Sequence, residues 1–118
     1  MKSIAFMIKP PAYGFFKTGE YNGYVAVPPE HPLYGKGCDT EQVEALDVHG
    51  GITFTGRVSD LPVVAEYIDD EIPAPGWWVF GFDTCHYGDT PRKWNRRHCT
   101  EETRKLQKQI EEIFAQSK

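Results

Sequence analysis

Trp77-Trp78-Val79-Phe80-Gly81-Phe82-Asp83 is the most strongly β-patterned run in the chain. Side chains alternate across an extended strand, so Trp78, Phe80 and Phe82 share one face and Trp77, Val79, Gly81 and Asp83 the other. Towards the C-terminus, Thr84–Asn95 has loop composition. Thr100 then reads as the cap of a helix with Glu101 and Glu102 in its first turn. Leu106, Ile110, Ile113 and Phe114 recur at helical spacing and form one apolar stripe, and Glu101–Lys105 adds an i,i+4 pair. This helix is expected to lay its stripe across one face of a sheet.

Towards the N-terminus, Ile52–Thr55 reads as a strand with Ile52 and Phe54 on one face. Asp39 or Thr40 caps a short helix through Leu46, and Glu30–Gly37 is a loop by composition. Asn22–Gly23 reads as a turn before a strand at Tyr24–Val27, which Pro28–Pro29 ends. Ser3–Ile8 is a first strand stopped by Pro10–Pro11, and Tyr13–Phe16 adds a short one. Asp60–Pro75 is rich in acids and prolines and reads as a solvated excursion, with Val63–Ile68 either a helical turn or a strand. The fold expected is α+β: a small, mainly antiparallel twisted sheet packed by a C-terminal amphipathic helix, with one further short helix. A chain of 118 residues fits a single domain over residues 1–118.

The apolar fraction of 40% supports a folded core rather than disorder. The apolar run within Met1–Ile8 is too short for a signal sequence, and no segment is long enough to span a bilayer. Cys38, Cys85 and Cys99 are odd in number and contain no C-x-x-C pair, which fits a reducing compartment. The net charge of -4 argues against general nucleic-acid binding. The charge is uneven, however: Arg92, Lys93, Arg96 and Arg97 lie within Pro91–His98, which holds no acid.

Four segments combine chemistry-bearing residues. In Val48-His49-Gly50-Gly51-Ile52-Thr53, two glycines free backbone amides to approach an anion beside His49 and Thr53; the alternative is a tight turn or bulge entering a strand. Asp83, His86 and Asp89 recur at intervals of three beyond the tryptophan strand, a donor set suited to a divalent metal or to acid/base work. The alternative there is an Asx-type turn in which both carboxylates hold loop amides. His31 sits in a proline-stiffened loop with Tyr34 and Lys36, and is either presented to a ligand or part of a rigid connector. Arg92 and Trp94 lie in a cationic loop suited to phosphate contact plus stacking; alternatively, the indole tucks against the helix. Cys85-His86 and His98-Cys99 form a mirrored pair whose adjacent ligands make poor zinc geometry. No nucleophile elbow, Walker A loop, dinucleotide fingerprint or H-E-x-x-H helix is present.

Three motifs carry a resemblance: Gly23-Tyr24-Val25-Ala26-Val27-Pro28 with His31-Pro32, Val48-His49-Gly50-Gly51-Ile52-Thr53-Phe54, and Gly81-Phe82-Asp83-Thr84-Cys85-His86-Tyr87-Gly88-Asp89. With them the chain resembles a family of small, mostly uncharacterised proteins encoded by phages and prophages, over residues 20 to 112. The resemblance implies a phage accessory protein working in the bacterial cytoplasm. Asp60–Pro75 and the Arg-rich loop are longer or more basic than the family pattern, which leaves Arg96 and Arg97 outside what the resemblance carries.

These readings converge on a non-enzymatic binder that sequesters a small phosphorylated, nucleotide-type signal to counter host defence. It would use His49, Gly50, Gly51, Thr53, Asp83, His86, Asp89, Arg92, Trp94 and His31. No cofactor is expected, and a homo-oligomer is one way to complete the pocket. One alternative is a metal-assisted hydrolase such as a phosphodiesterase built on His49, Asp83, His86 and Asp89. A second is an inhibitor of a host defence protein, whose acidic Asp60–Glu71 loop engages a basic surface.

Overall fold

The computed structural model describes residues 2–11, 17–62 and 65–117. Five strands, β1 (Ile4–Ile8), β2 (Asn22–Val27), β3 (Phe54–Arg57), β4 (Glu66–Tyr67) and β5 (Trp78–Phe82), pair in the order β3-β5-β2-β1-β4. Every pairing is antiparallel. A short helix α1 (Glu41–Glu44) and a long C-terminal helix α2 (Arg96–Gln116) complete the α+β fold expected from the sequence. The Tyr13–Phe16 strand expectation lies outside the described residues.

The alternation in the tryptophan run sorts the core into two layers. Phe80 and Phe82 join Val25, Val27, Leu106 and Ile110 beneath α2, with Trp78 and Ile113 packed against them. On the opposite face, Val79 joins Phe6, Tyr24 and Ala26. Val58, Leu61 and Ala65 pack against that second face, so the start of the Asp60–Pro75 stretch covers the sheet, while Asp70–Ile72 and Ala74–Pro75 are exposed, as the sequence suggested. Three acids of the stretch, Glu66, Asp69 and Glu71, are tied to the body. Asp69 accepts from the Ala5 amide at 2.9 Å and from Arg104 at 2.6 Å, and Lys2 pairs with Glu71. Burial alone would raise the Asp69 carboxyl, but these bonds and one from Gln107 hold it below its usual range.

Several boundaries differ from the sequence reading for identifiable reasons. Asn22 and Gly23 are not a turn but the start of β2, paired with Ile8 and Met7. Gly23 lies where α2 crosses the sheet, and a Cβ there would sit 2.2 Å from Thr103 Oγ1. The glycine therefore serves close packing rather than a reversal. β3 begins at Phe54, two residues later than expected. Ile52 packs with the helix-side core while Phe54 joins the other face, because alternation does not extend before the strand. α2 is capped not by Thr100 but by Asn95, whose side chain accepts the His98 amide at 2.9 Å. Arg96, Arg97 and His98 of the Arg-rich segment consequently form the first turn of a helix. No helix among the described residues is long and apolar enough to cross a membrane.

Candidate functional site

The loop after β5 is anchored before it turns. Thr84 is fully buried, its hydroxyl donating to the Tyr21 carbonyl at 2.9 Å and its amide to Asn22 Oδ1 at 3.0 Å. Beyond it the chain closes on itself. The Asp89 amide donates to the His86 carbonyl at 2.9 Å, and the His86 amide donates to Asp89 Oδ2 at 3.0 Å. Asp83 accepts the Cys85 amide at 3.0 Å. Both carboxylates thus make the turn contacts that the sequence allowed, and Asp89 has further partners.

His49 reaches this loop from the other side. Its Nε2 lies 3.0 Å and 3.1 Å from the two Asp89 oxygens, while His86 Nδ1 lies 3.3 Å from Asp89 Oδ2. The two imidazoles meet edge to face with centroids 5.1 Å apart. One ligand atom from each of His49, His86 and Asp89 falls within 4.8 Å of the others. Asp89 is 5% exposed. Burial pushes its carboxyl up, but the His49 ring, the His86 amide and the His86 ring outweigh burial and hold it below the usual range.

The neighbours of the triad fix its rings. Gly50 has a positive φ of 72°, and a Cβ on it would lie 2.3 Å from His86 Cε1, so glycine is required by both backbone and space. The His49 amide donates to Glu102 Oε2 at 2.7 Å. The His49 ring stacks on Trp94 at 4.1 Å, and the indole's other face stacks on His98 at 3.8 Å, 6° from parallel. Trp94 is therefore a buried support behind His49, filled on both faces, as in the reading that tucks it inward.

A hollow of about 450 Å³ opens beside the triad, lined by Lys17, Cys85, His86, Tyr87, Asp89 and Thr90 among others. Burial, then Asp83 and Asp89, raise the Cys85 thiol, which disfavours a thiolate nucleophile at neutral pH. Ions bonded to N and O ligands at 2.0–2.2 Å hold neighbouring donors roughly 3 Å apart, and the spacing between His49 and Asp89 matches that. Two imidazoles and one carboxylate suit a divalent transition ion with coordination positions left open. Asp83, 3.5 Å from His86 Nδ1, stands just outside the triad.

The remaining sequence candidates are elsewhere or differently employed. His31 is 3% exposed, with Nε2 2.8 Å from the Ile110 carbonyl and Nδ1 accepting the Leu33 amide at 3.0 Å, so both ring nitrogens are occupied by backbone. Gly51 closes a turn by donating to the Val48 carbonyl, and the Thr53 amide extends β3 pairing to Gly81. Arg92 is exposed on the loop before α2. The arginines have acidic partners that the segment itself lacks: Arg96 pairs with Glu66 at 3.1 Å and Arg97 with Glu101 at 3.7 Å. Cys99 is buried with Sγ donating to the Tyr21 carbonyl, so the mirrored Cys/His zinc pairing does not assemble. Sequence reasoning did not single out Lys17, Glu102 or His98's stacking role. Only His98, beside the flagged indole, carried a local signal.

Comparison with protein-family models, with curated proteins and with solved structures finds no match to this chain.

Proposed function

We propose that His49, His86 and Asp89 bind a divalent transition metal, and that the metal captures the phosphoryl group of a small ligand in the adjoining hollow. The observation that supports this is the convergence of three ligand atoms, from two separate loops, within 4.8 Å. Bare, the site is poorly suited to an anion. A negative group about 4 Å from Asp89 would meet repulsion on the order of 4 kcal/mol at an effective dielectric near 20, and Asp83 adds to it. A divalent ion reverses that sign, and Lys17 on the hollow's wall contributes a further positive charge. The resemblance to phage-encoded proteins supplies a setting in which the ligand is a nucleotide-type signal of host defence and its capture is the protein's role.

A second reading is favoured by the open coordination positions. A bound metal lowers the pKa of its water towards 7 and polarises a phosphoryl oxygen, which is the chemistry of a phosphodiesterase. One experiment addresses both. The protein is loaded with Zn2+ or Mn2+, mixed with a panel of nucleotides, and the ligand is recovered by denaturation. Intact ligand supports capture, and hydrolysed ligand supports catalysis. Failure of the wild type to retain any metal above the His49→Ala, His86→Ala double variant would reject both.

A further inference from the structure

The site contains two aromatic side chains in opposite situations. Trp94 is enclosed, one face on His49 and the other on His98. Tyr87 is 106% exposed, the most exposed large hydrophobic residue among those described, and it lines the hollow next to His86 and Asp89. The backbone that presents it is pinned on both sides, by the His86 amide on Asp89 Oδ2 and the Asp89 amide on the His86 carbonyl. A wholly exposed ring on a pinned loop has little to gain from the fold itself. Such a ring suits a planar partner, because stacking on a base is available in any orientation about the ring normal.

We infer that the phosphorylated ligand carries a nucleobase, and that Tyr87 stacks on that base at the mouth of the hollow while the metal holds the phosphate. The inference rests on the metal-site reading above. A hollow of about 450 Å³ lies within the range of small-ligand sites and suits a molecule of mononucleotide size.

The test compares adenosine 5′-monophosphate with ribose 5-phosphate, which differ by the base alone, on Zn2+-loaded protein by equilibrium dialysis. Zinc content is measured in the same samples. The wild type is expected to bind the nucleotide about tenfold tighter, the size of one base–aromatic stack. Tyr87→Ala should erase that ratio with ribose 5-phosphate and zinc binding unchanged, and Tyr87→Phe should keep it. Zinc retained with no preference for the base, or a preference that survives Tyr87→Ala, overturns the role of Tyr87. A tyrosine that anchors a protein partner would give that same outcome. Absence of zinc binding instead removes the metal reading and this inference with it.

Discussion

His31 and the His49–His86 pair are the same residue type put to opposite uses. His31 is sealed, its two nitrogens answered by the Ile110 carbonyl and the Leu33 amide and its ring packed 5.7 Å from Phe114. Those partners select a single neutral tautomer, with Nε2 donating and Nδ1 accepting, and leave nothing for a ligand. His49 and His86 are partly exposed and share one carboxylate, and His86 and that carboxylate border a hollow. Occupied nitrogens facing backbone make a histidine a structural cross-link. Partly exposed rings converging on a buried acid are the arrangement on which the proposed ligand-donor role rests.

The sharpest way to break the contrast is by truncation. His31→Ala should cost about 3 kcal/mol, since it leaves two buried backbone groups unpaired and a void under α2. His86→Ala should cost under about 1 kcal/mol while removing metal uptake. Urea denaturation paired with a zinc assay reads both, and equal stability losses would collapse the distinction.

Next in size is a matched pair of glycines. Gly50→Ala combines left-handed backbone strain with a collision on the His86 ring, so it should cost about 2 kcal/mol and weaken metal binding as well. Gly51→Ala, with φ 76° but open space around the added Cβ, should cost about 1 kcal/mol and leave metal affinity intact. A Gly51 effect on metal as large as that of Gly50 would mean the turn as a whole, not the His86 contact, governs the site.

The pH dependence sharpens the comparison further. Burial lowers the His31 pKa from its ordinary 6.5 despite the opposing Ile110 bond. The unfolded chain therefore takes up the proton first, and His31's contribution to stability is present at neutral pH and declines as pH falls below about 6.5. In denaturation curves the stability advantage of wild type over His31→Gln should shrink between pH 7.5 and pH 5. An advantage that grows on acidification would show that the folded state prefers the imidazolium. The smallest effect belongs to the surface: Arg97→Ala removes a largely exposed pair with Glu101 and should change stability by less than about 0.5 kcal/mol.

Much of the fold was legible because its signals are local. Alternation in Trp77–Asp83 separated the two core layers, and the Leu106–Ile110–Ile113 stripe marked the helix face that covers one of them. The misread boundaries share a cause. Asn22–Gly23 carries a turn signature that sheet pairing and the close approach of Thr103 override, and Asn95 competes with Thr100 for the same cap. Glu66, Asp69 and Glu71 looked free because their partners, Arg96, Arg104 and Lys2, are distant in sequence.

Residue chemistry and short-range periodicity determined on their own the α+β class, the strand that organises the core, and the two loops worth watching after Val48 and Phe82. Which histidines meet was decided by the folded chain alone, since 37 residues separate His49 from His86 while 18 separate His31 from His49. Pairing of β3 with β5 brings the first two side by side, and α2 draws His31 beneath Ile110. A side chain's neighbours across a sheet follow from strand order, and strand order is a property of long-range pairing that no local pattern encodes.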